Sequence, residues 1–559
     1  MDPHPQTTPS SFGAFRPMNK TLTAGIPWRV ILVFTIPLLI GNVVQQLYQV
    51  VDAIVVGQAI GVNALASVGA TGSFLFFLIG FAWGMTGGFA IPAAQAFGAG
   101  DYKALRKSVT TGAWLTGAFS ILITFGAPPV TRRVLELMQT PPELIDDATT
   151  FAVVSFLGAV GTMFFNYLSA IIRAIGNSRT PLIFLIIACV INIGLVILMV
   201  SGFGWGVAGA ALATVVSQLI SVLLCLEYVR RSVPILHVTR EDWKIDGAAM
   251  KEHLRIGLPM GFMASIIAIG SLVVQIRLNT LGAEAIAAFT TATRVDGMAV
   301  AFLGSLGLAT STFVAQNWGA GKIDRIKTGV RQAIIMSVIG SFVLAAILIT
   351  VGEWMVGLFV GSEAGVENII SMSHKYLVVN GLIYFALGIL FVTRNAIQGL
   401  GRPLIPTISG VAELVMRVAA AIILGGMFGF DGIIWSSPLA WIGAAVLLLP
   451  AWAKALKTLD ADYAEYAASR VANEPTGAPV ADANVEPNPV PAAQGVSASA
   501  IASAAAVMTD SEALHMDAEA PDAAVSAEEA QSAEAVGAVG LVDLSELIEG
   551  ERETVSTSV

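Results

Sequence analysis

The sequence predicts an all-α polytopic membrane protein in which twelve transmembrane helices form two parallel six-helix repeats. Hydrophobic residues make up 55% of the 559 residues and charged residues only 12%, whereas a typical soluble domain has about 25% charged residues. The mean hydropathy is +0.76, and apolar stretches of about 20 residues, the length that crosses a bilayer, recur along the chain. The distribution of basic residues and an internal repeat indicate the same fold.

Hydropathy divides the chain into five regions. Residues 1–24 are polar and predict a cytoplasmic segment without a cleavable signal peptide, so the first span would itself direct insertion. We then expect an N-lobe of helices 1–6 at 25–229, a cytoplasmic linker at 230–253, a C-lobe of helices 7–12 at 254–457, and a tail at 458–559. The predicted spans lie near 28–57, 64–95, 108–128, 145–172, 181–201, 205–229, 254–281, 284–316, 329–351, 371–399, 404–425 and 431–456.

The basic residues predict the orientation of these spans. With the N-terminus in the cytoplasm, 24 of the 30 Lys and Arg residues are counted on the cytoplasmic side, including Arg394 and Arg402 at the end of span 10. This asymmetry predicts a multi-pass protein of the cytoplasmic membrane with both termini inside the cell. The remaining six lie outside the cell or within spans: Arg132, Arg133 and Lys375 outside, and Arg277, Arg294 and Arg417 within.

The two halves of the chain repeat each other. The run Ala94–Gly100 (AQAFGAG) recurs as Ala315–Gly321 (AQNWGAG), an offset of 221 residues. Because six spans per half is an even number, both halves enter the membrane in the same sense, which indicates parallel repeats related by an axis along the membrane normal. Such lobes typically enclose a cavity and rock about it in an alternating-access transporter. Further matches at offsets of 221 or 222 are Gly61 with Gly282, Pro37 with Pro259, and Pro181–Ile183 with Pro403–Ile405.

The tail differs in character from the rest of the chain. From Asp460 to Val559 the net charge is −17, which leaves +8 on residues 1–459 although the whole chain carries −9. A segment rich in Ala, Glu, Asp, Ser and Pro cannot bury enough apolar surface to offset its chain entropy. We therefore predict that residues 458–559 are a disordered, acidic, cytoplasmic tail.

Several other classes of function lack the residues they need. The two cysteines, Cys189 and Cys225, lie inside apolar stretches and cannot build a disulfide framework or a metal cluster. A membrane-embedded enzyme would need clustered nucleophiles, metal ligands or paired acids, which the sequence does not contain. No nucleotide-binding loop is present to indicate ATP drive, and nothing predicts a nucleic-acid partner.

A polar stripe on the first span is the strongest candidate site. Asn42, Gln45, Gln49 and Asp52 are spaced three, four and three residues apart, so they fall within about 80° of arc on one helical face, with Gln46 at its edge. A carboxylate inside a membrane helix is costly and normally marks an ion or proton path. A carboxyl that only hydrogen-bonds to neighbouring helices is the alternative, but five polar groups on one face favour function.

The C-lobe offers Glu413 and Arg417 in span 11, at positions i and i+4. This spacing suits an intrahelical ion pair that fixes the helix; a carboxylate that exchanges its partner during turnover is an equally favoured interpretation. Asp296 and Arg294 in span 8 are two residues apart and cannot share a helical face. We hypothesise instead that Asp296 pairs with Arg277 of span 7.

These residues resemble the motifs of the MATE (multidrug and toxic compound extrusion) family. The first span has the order Pro37-Leu38, Gln45-Gln46, Asp52 and Val56-Gly57, which is similar to the family's opening helix. The repeated Ala-Gln-x-x-Gly-Ala-Gly runs and the stretch Gly204–Ala211 are also MATE-like, and the resemblance covers about residues 27–457. The family's second motif, Asn-x-x-Leu-Asp in span 5, stands here as Asn192-Ile193-Gly194-Leu195-Val196, so the second acid is replaced by Val196.

The resemblance implies an antiporter that exports small organic, often cationic, compounds in exchange for H⁺ or Na⁺, without a cofactor. It maps the family's coupling site onto Asp52, with Asn192 and the glutamine stripe beside it. A flippase for lipid-linked oligosaccharides, from the same wider superfamily, is the alternative, because Arg277, Arg294 and Arg417 could line the basic cavity that such a substrate favours. The expected partners are the organic substrate, the coupling ion and the bilayer, and we expect a monomer.

Overall fold

The computed structural model describes residues 22–138, 140–360 and 366–473, all within one compact unit. In this part of the chain the regular structure is helical. The α-helices are Pro27–Ala59 (α1), Val62–Gly98 (α2), Tyr102–Gly126 (α3), Pro128–Leu137 (α4), Ile145–Leu157 (α5), Ala159–Ala174 (α6), Arg179–Val196 (α7), Gly206–Ser232 (α8), Gly247–Asn279 (α9), Ala283–Gly319 (α10), Ile323–Val360 (α11), Val366–Gly399 (α12), Leu404–Phe428 (α13), Phe430–Ile433 (α14) and Ser436–Asn473 (α15).

The helices account for the predicted spans. Within the described residues, 11 helices are long and apolar enough to cross a membrane, and the count reaches 12 when the bent pair α5 and α6 is taken as one span. That pair meets at Gly158 with a bend of 49°, where a Cβ would overlap the side chain of Val215 on α8. The predicted fourth span is therefore broken where α8 packs most closely against it. The multi-pass α-helical fold is confirmed.

The last helix is longer than the sequence indicated. Residues 458–473, predicted to be disordered, continue α15 to Asn473. Tyr463 and Tyr466 pack their rings on Trp318 of α10, with centroids 5.4 and 5.6 Å away, and Asp462 pairs with Arg402 at 2.8 Å. These contacts stabilise a segment whose Ala and Glu content already favours a helix. Residues 1–21 and 474–559 lie outside the described part, as does most of the predicted tail.

The first helix of each lobe packs against the other lobe as well as against its own. Helix α1 packs on α7 of its own lobe and on α10 of the other, and α9, its repeat equivalent, packs on α13 and on α2. We call the N-terminal half of α1 its inner half and the C-terminal half its outer half. The inner half joins the hydrophobic cluster of the C-lobe through Ile31, Phe34 and Leu38. The outer half packs into an N-lobe cluster through Val56, beside Val196. Helix α1 therefore links the two lobes physically.

The two lobes are in close contact at one end of the bundle. We call the end where α2 and α10 terminate, next to Lys103 and Arg106, the basic end. There, a Cβ at Gly98 of α2 would overlap the Gln316 carbonyl of α10, and further along α2 the residues Gly88 and Gly84 approach the backbone of α9 so closely that a Cβ would clash. The space between the lobes is thus closed at the basic end.

The linker between the lobes is docked on α3 rather than extended. The Asp242 carboxylate pairs with Arg106 of α3 at 3.3 Å and accepts hydrogen bonds from the Thr239 N–H and hydroxyl at 2.7 and 2.9 Å. The Thr110 hydroxyl donates to the Asp242 carbonyl at 2.6 Å. Burial acts to raise the pKa of the Asp242 carboxyl, but the Thr239 hydrogen bonds and the Arg106 guanidinium outweigh it and hold the pKa below its usual value.

Docking of the linker should therefore depend on pH. Because the folded pKa of Asp242 is depressed, its stabilisation is complete above the ordinary value of 3.8 and is lost as the pH falls through the folded value. We expect Asp242→Asn to remove it at neutral pH, so that amide hydrogen exchange across residues 239–246 accelerates about tenfold. The exposed neighbour Glu241 supplies the control, Glu241→Gln. Unchanged protection in Asp242→Asn at neutral pH would contradict the assignment.

Candidate coupling site

The outer half of α1 has two exposed faces that point in opposite directions. One is apolar, and the other is the polar stripe, on which Gln45 and Gln49 are exposed and Asn42 and Asp52 are half-buried. At about 100° per residue the centres of the two faces lie about 160° apart. An apolar exposed face suits lipid, so the polar face is turned away from lipid and towards the space between the lobes. The apolar face consists of Ile40, Val43, Leu47, Val50 and Ile54.

The inner part of the stripe contacts the C-lobe. Asn42 Nδ2 donates to the Ser305 hydroxyl of α10 at 2.9 Å. Gln46 lies one turn further along, and its Nε2 is 3.8 Å from where a Cβ of Gly297 would stand. The predicted stripe therefore borders α10, and Gln45 and Gln49 stay accessible beside it.

Asp52 lies at the outer end of the stripe with an unsatisfied carboxylate. Its Oδ1 is buried and has no hydrogen-bond partner among the described residues. Tyr48 precedes it by one helical turn and lies within electrostatic range of the carboxylate. A buried oxygen without a donor is costly, which makes this carboxylate a candidate position for binding a proton or a cation.

Asn192 is connected to the turn of α1 that carries Asp52 only through two other side chains. Asn192 Nδ2 on α7 donates to the Thr214 hydroxyl of α8 at 3.2 Å, and that hydroxyl is 2.9 Å from the Tyr48 hydroxyl. The structure thus gives a chain from Asn192 through Thr214 and Tyr48 to the turn that carries Asp52. Val196, where the family motif has a second acid, is buried in the N-lobe cluster, so that position contributes packing and no carboxylate.

Glu413 of the C-lobe is held by two arginines. Its Oε1 accepts from Arg417 at 3.0 Å, the predicted i, i+4 pair, and its Oε2 accepts from Arg394 at 2.6 Å. All three side chains are at most 10% exposed. From the sequence, Arg394 was counted among the basic residues of the cytoplasmic side, whereas the structure places it within α12 with its side chain buried against Glu413. The intrahelical pair is thus part of a buried triad.

Asp296 has a different set of partners from the one predicted. The Tyr384 hydroxyl of α12 donates to its Oδ1, and Tyr376, two turns away on the same helix, also reaches it. The hypothesis that Arg277 pairs with Asp296 is wrong, because Arg277 lies against the carbonyl of Gly425 on α13. Tyr376 also lies within electrostatic range of Arg417, so the Asp296 cluster adjoins the Glu413 triad.

Sequence reasoning missed four residues of these networks. Tyr48 carried a usable signal, since it precedes Asp52 by four residues on one helix. Tyr376 and Tyr384 are eight residues apart and share a helical face, which could also have been noticed. Thr214 carries no local signal, because its role depends on how α8 packs against α1. No group of three or more His, Cys, Asp or Glu side chains suited to a metal ion occurs in the described ranges.

Comparison with known proteins identifies relatives over most of this chain. The family model MatE matches residues 37–198 and 259–423, more than half of the sequence. The probable multidrug resistance protein YoeA of Bacillus subtilis is 28% identical over 391 residues, which cover 69% of this chain and 84% of that protein. The multidrug export protein MepA of Staphylococcus aureus strain MRSA252 is 25% identical over 415 residues, covering 73% and 90%.

Solved structures share the fold. An outward-facing multidrug resistance MATE transporter of the MOP superfamily superposes with a TM-score of 0.74 at 22% identity, covering 79% of this chain and 99% of that one. A MATE structure in the bent conformation gives 0.74, again at 22% identity. At this identity the likeness supports the arrangement of helices, while the roles of individual side chains rest on their own contacts.

Proposed function

Because the chain belongs to the MATE family of multidrug efflux transporters, we propose that it is a secondary antiporter that exports small organic compounds in exchange for H⁺ or Na⁺. The observation that carries this proposal is the Asp52 carboxylate: a buried oxygen without a donor, on a polar stripe turned towards the space between two lobes. The relatives' names, multidrug resistance and multidrug export, support organic compounds as the substrate class.

The coupling step follows from the position of α1. An ion or proton bound at Asp52 neutralises a charge on the outer half of α1, which packs on the N-lobe, while the inner half is embedded in the C-lobe. If the occupied and empty carboxylate favour different arrangements of the two lobes, binding shifts the population between them. A substrate that prefers the opposite arrangement is then driven by the ion, and the size of the coupling equals that difference in affinity.

The flippase alternative is less well supported. It would need a basic central cavity, which three arginines could line. One of them, Arg417, forms a buried ion pair with Glu413. Arg277 lies near the far ends of α9 and α13, against a backbone carbonyl. Arg294 is exposed and is the remaining candidate. We therefore retain export of organic compounds as the conclusion.

We further propose that the basic end faces the cytoplasm, with both termini inside and a monomer as the working unit. The positive-inside rule supports this orientation, since 17 of the 30 Lys and Arg residues lie in or within ten residues of the connections after α2, α6, α8, α10 and α12, which are at that end. In this orientation, lobes that are joined at the basic end would form an outward-facing state, which releases substrate outside and binds the coupling ion.

Transport in everted vesicles tests the proposal. Purified protein would be reconstituted, and accumulation of ethidium, an organic cation, would be followed with an acidic lumen or a Na⁺-loaded lumen, each imposed separately. We expect accumulation under at least one gradient, collapsing when that gradient is dissipated. Uptake that follows neither gradient would overturn the antiporter and favour the flippase. Protein-free vesicles under the same gradients control for passive partition of the dye.

A further inference from the structure

The repeated Ala-Gln-x-x-Gly-Ala-Gly runs meet each other across the two lobes at the basic end. Gln95 of the first run, on α2, donates its side-chain amide to the carbonyl of Gly399 at the end of α12, at 3.0 Å. Gln316 of the second run, on α10, donates its amide to the carbonyl of Ala174 at the end of α6, at 2.7 Å. Each glutamine therefore crosses into the other lobe, and both are at most 5% exposed.

The two acceptor carbonyls are equivalent in the repeat. Helix α6 ends with the Gly176 N–H on the Arg173 carbonyl and the Asn177 N–H on the Ile172 carbonyl. Gly176 has a φ of 91°, the left-handed conformation that this helix end requires. In this arrangement the Ala174 carbonyl receives no backbone donor, and Gln316 supplies one. Helix α12 ends in the same way at Gly399, with Gly401 (φ 76°) in the left-handed position.

The glycines of the two runs allow this close contact. A Cβ at Gly98 would overlap the backbone carbonyl of Gln316, and a Cβ at Gly319 would overlap that of Gln95. Because the obstacle is backbone in both cases, no change of rotamer could relieve it. The contact is thus built twice from the same motif, once in each direction.

We propose that Gln95 and Gln316, with Gly98 and Gly319, form a reciprocal latch that closes the basic end and must open in every transport cycle. The proposal rests on the alternating access of the proposed function and names the groups that hold one of its two states. Each amide–carbonyl bond has a modest net strength, because water replaces the partner on opening. Two such bonds hold the end closed but still allow it to open.

The latch also connects to the helix that carries Asp52. The Oε1 atom of Gln316 accepts the backbone N–H of Leu22 at 2.9 Å, and Asn317, the next residue, donates to the Leu22 carbonyl at 3.2 Å. Leu22 lies just before α1, which begins at Pro27. The segment that leads into α1 is therefore bonded to the C-lobe side of the latch, and a movement of α1 acts directly on Gln316.

Distance measurements between the lobes test the latch. Spin labels would be placed at Lys103 of α3 and Thr328 of α11, both exposed, in a background carrying Cys189→Ala and Cys225→Ala. We expect one short distance in the parent protein and a longer one in Gly98→Ala and in Gly319→Ala. The ratio of the closed population, which gives the short distance, to the open population should fall by more than about tenfold. Gln95→Leu removes one bond and should reduce that ratio about fivefold; Gln316→Leu should reduce it at least as much.

Gly87→Ala is the matched control, because it lies on the same helix and its Cβ would meet no described atom within 4 Å. It should keep the parent distance. If a glycine variant fails to fold, the two Gln→Leu variants decide. The parent distance in all folded latch variants would overturn the proposal. The distance measurement needs neither substrate nor gradient, so it is independent of the transport assay. Unchanged distances in the variants, together with antiport by the parent protein, would overturn the latch alone. Longer distances in the variants, together with a parent protein that shows no antiport, would overturn the proposed function alone.

Discussion

Asp52→Asn is expected to abolish ion-driven export while leaving the protein folded. Asparagine has nearly the same size, but it carries no charge and takes up neither a proton nor Na⁺ in exchange for substrate. Coupling between two ligands typically corresponds to about a 5–150-fold change in affinity, and the variant should lose all of it. Accumulation of ethidium in everted vesicles should fall to that of protein-free vesicles under both gradients. Thermal stability should be unchanged or higher, because Oδ1 has no partner to lose among the described residues.

The control makes the same chemical change elsewhere. Asp146→Asn removes a carboxylate that is 79% exposed and pairs with Arg132 at 2.8 Å, and surface pairs of this kind contribute little. It should transport like the parent protein. Undiminished gradient-driven export by a normally inserted Asp52→Asn protein would end the assignment of Asp52 as the coupling group.

The part of the site that could be predicted from the sequence is the part made within one helix. Asn42, Gln45, Gln49 and Asp52 share a face because of helical spacing alone, and the structure places that face opposite the apolar one. Tyr48 obeys the same spacing and was within reach of the same reasoning. The contact of Asn192 with Thr214 depends on how α7 and α8 pack, which periodicity does not specify.

Arg394 shows why the polar networks of the C-lobe were harder to predict. It lies six residues before Leu400, close to the end of an apolar segment, and a basic residue there looks like part of a cytoplasmic loop. Only the packing of α12 against α13 brings it to Glu413. The repeated Ala-Gln-x-x-Gly-Ala-Gly runs likewise revealed the duplication of the lobes, whereas their mutual contact depends on the relative position of the lobes in space.

Glu413→Gln is expected to destabilise the protein strongly without changing which ion drives it. Glutamine keeps one oxygen that can accept from Arg394 or Arg417, but it leaves two buried guanidinium groups without a counter-charge. Removing one partner of a buried ion pair costs about 3–5 kcal/mol. The free energy of unfolding in detergent should fall by about that amount, measured by denaturant titration. The ion dependence of transport by the folded fraction should remain that of the parent.

Replacing all members of the triad separates structure from coupling. The triple variant Arg394→Met, Glu413→Leu and Arg417→Met removes every charge at once and keeps similar volumes, and such replacements are often neutral or stabilising by about 1–4 kcal/mol. Recovery of stability with intact gradient-driven export would show that the triad fixes the packing of α12 against α13. If Glu413→Gln were as stable as the parent but lost its response to the ion gradient, Glu413 would be a second coupling carboxylate, and its two arginines would be partners that it exchanges during the cycle.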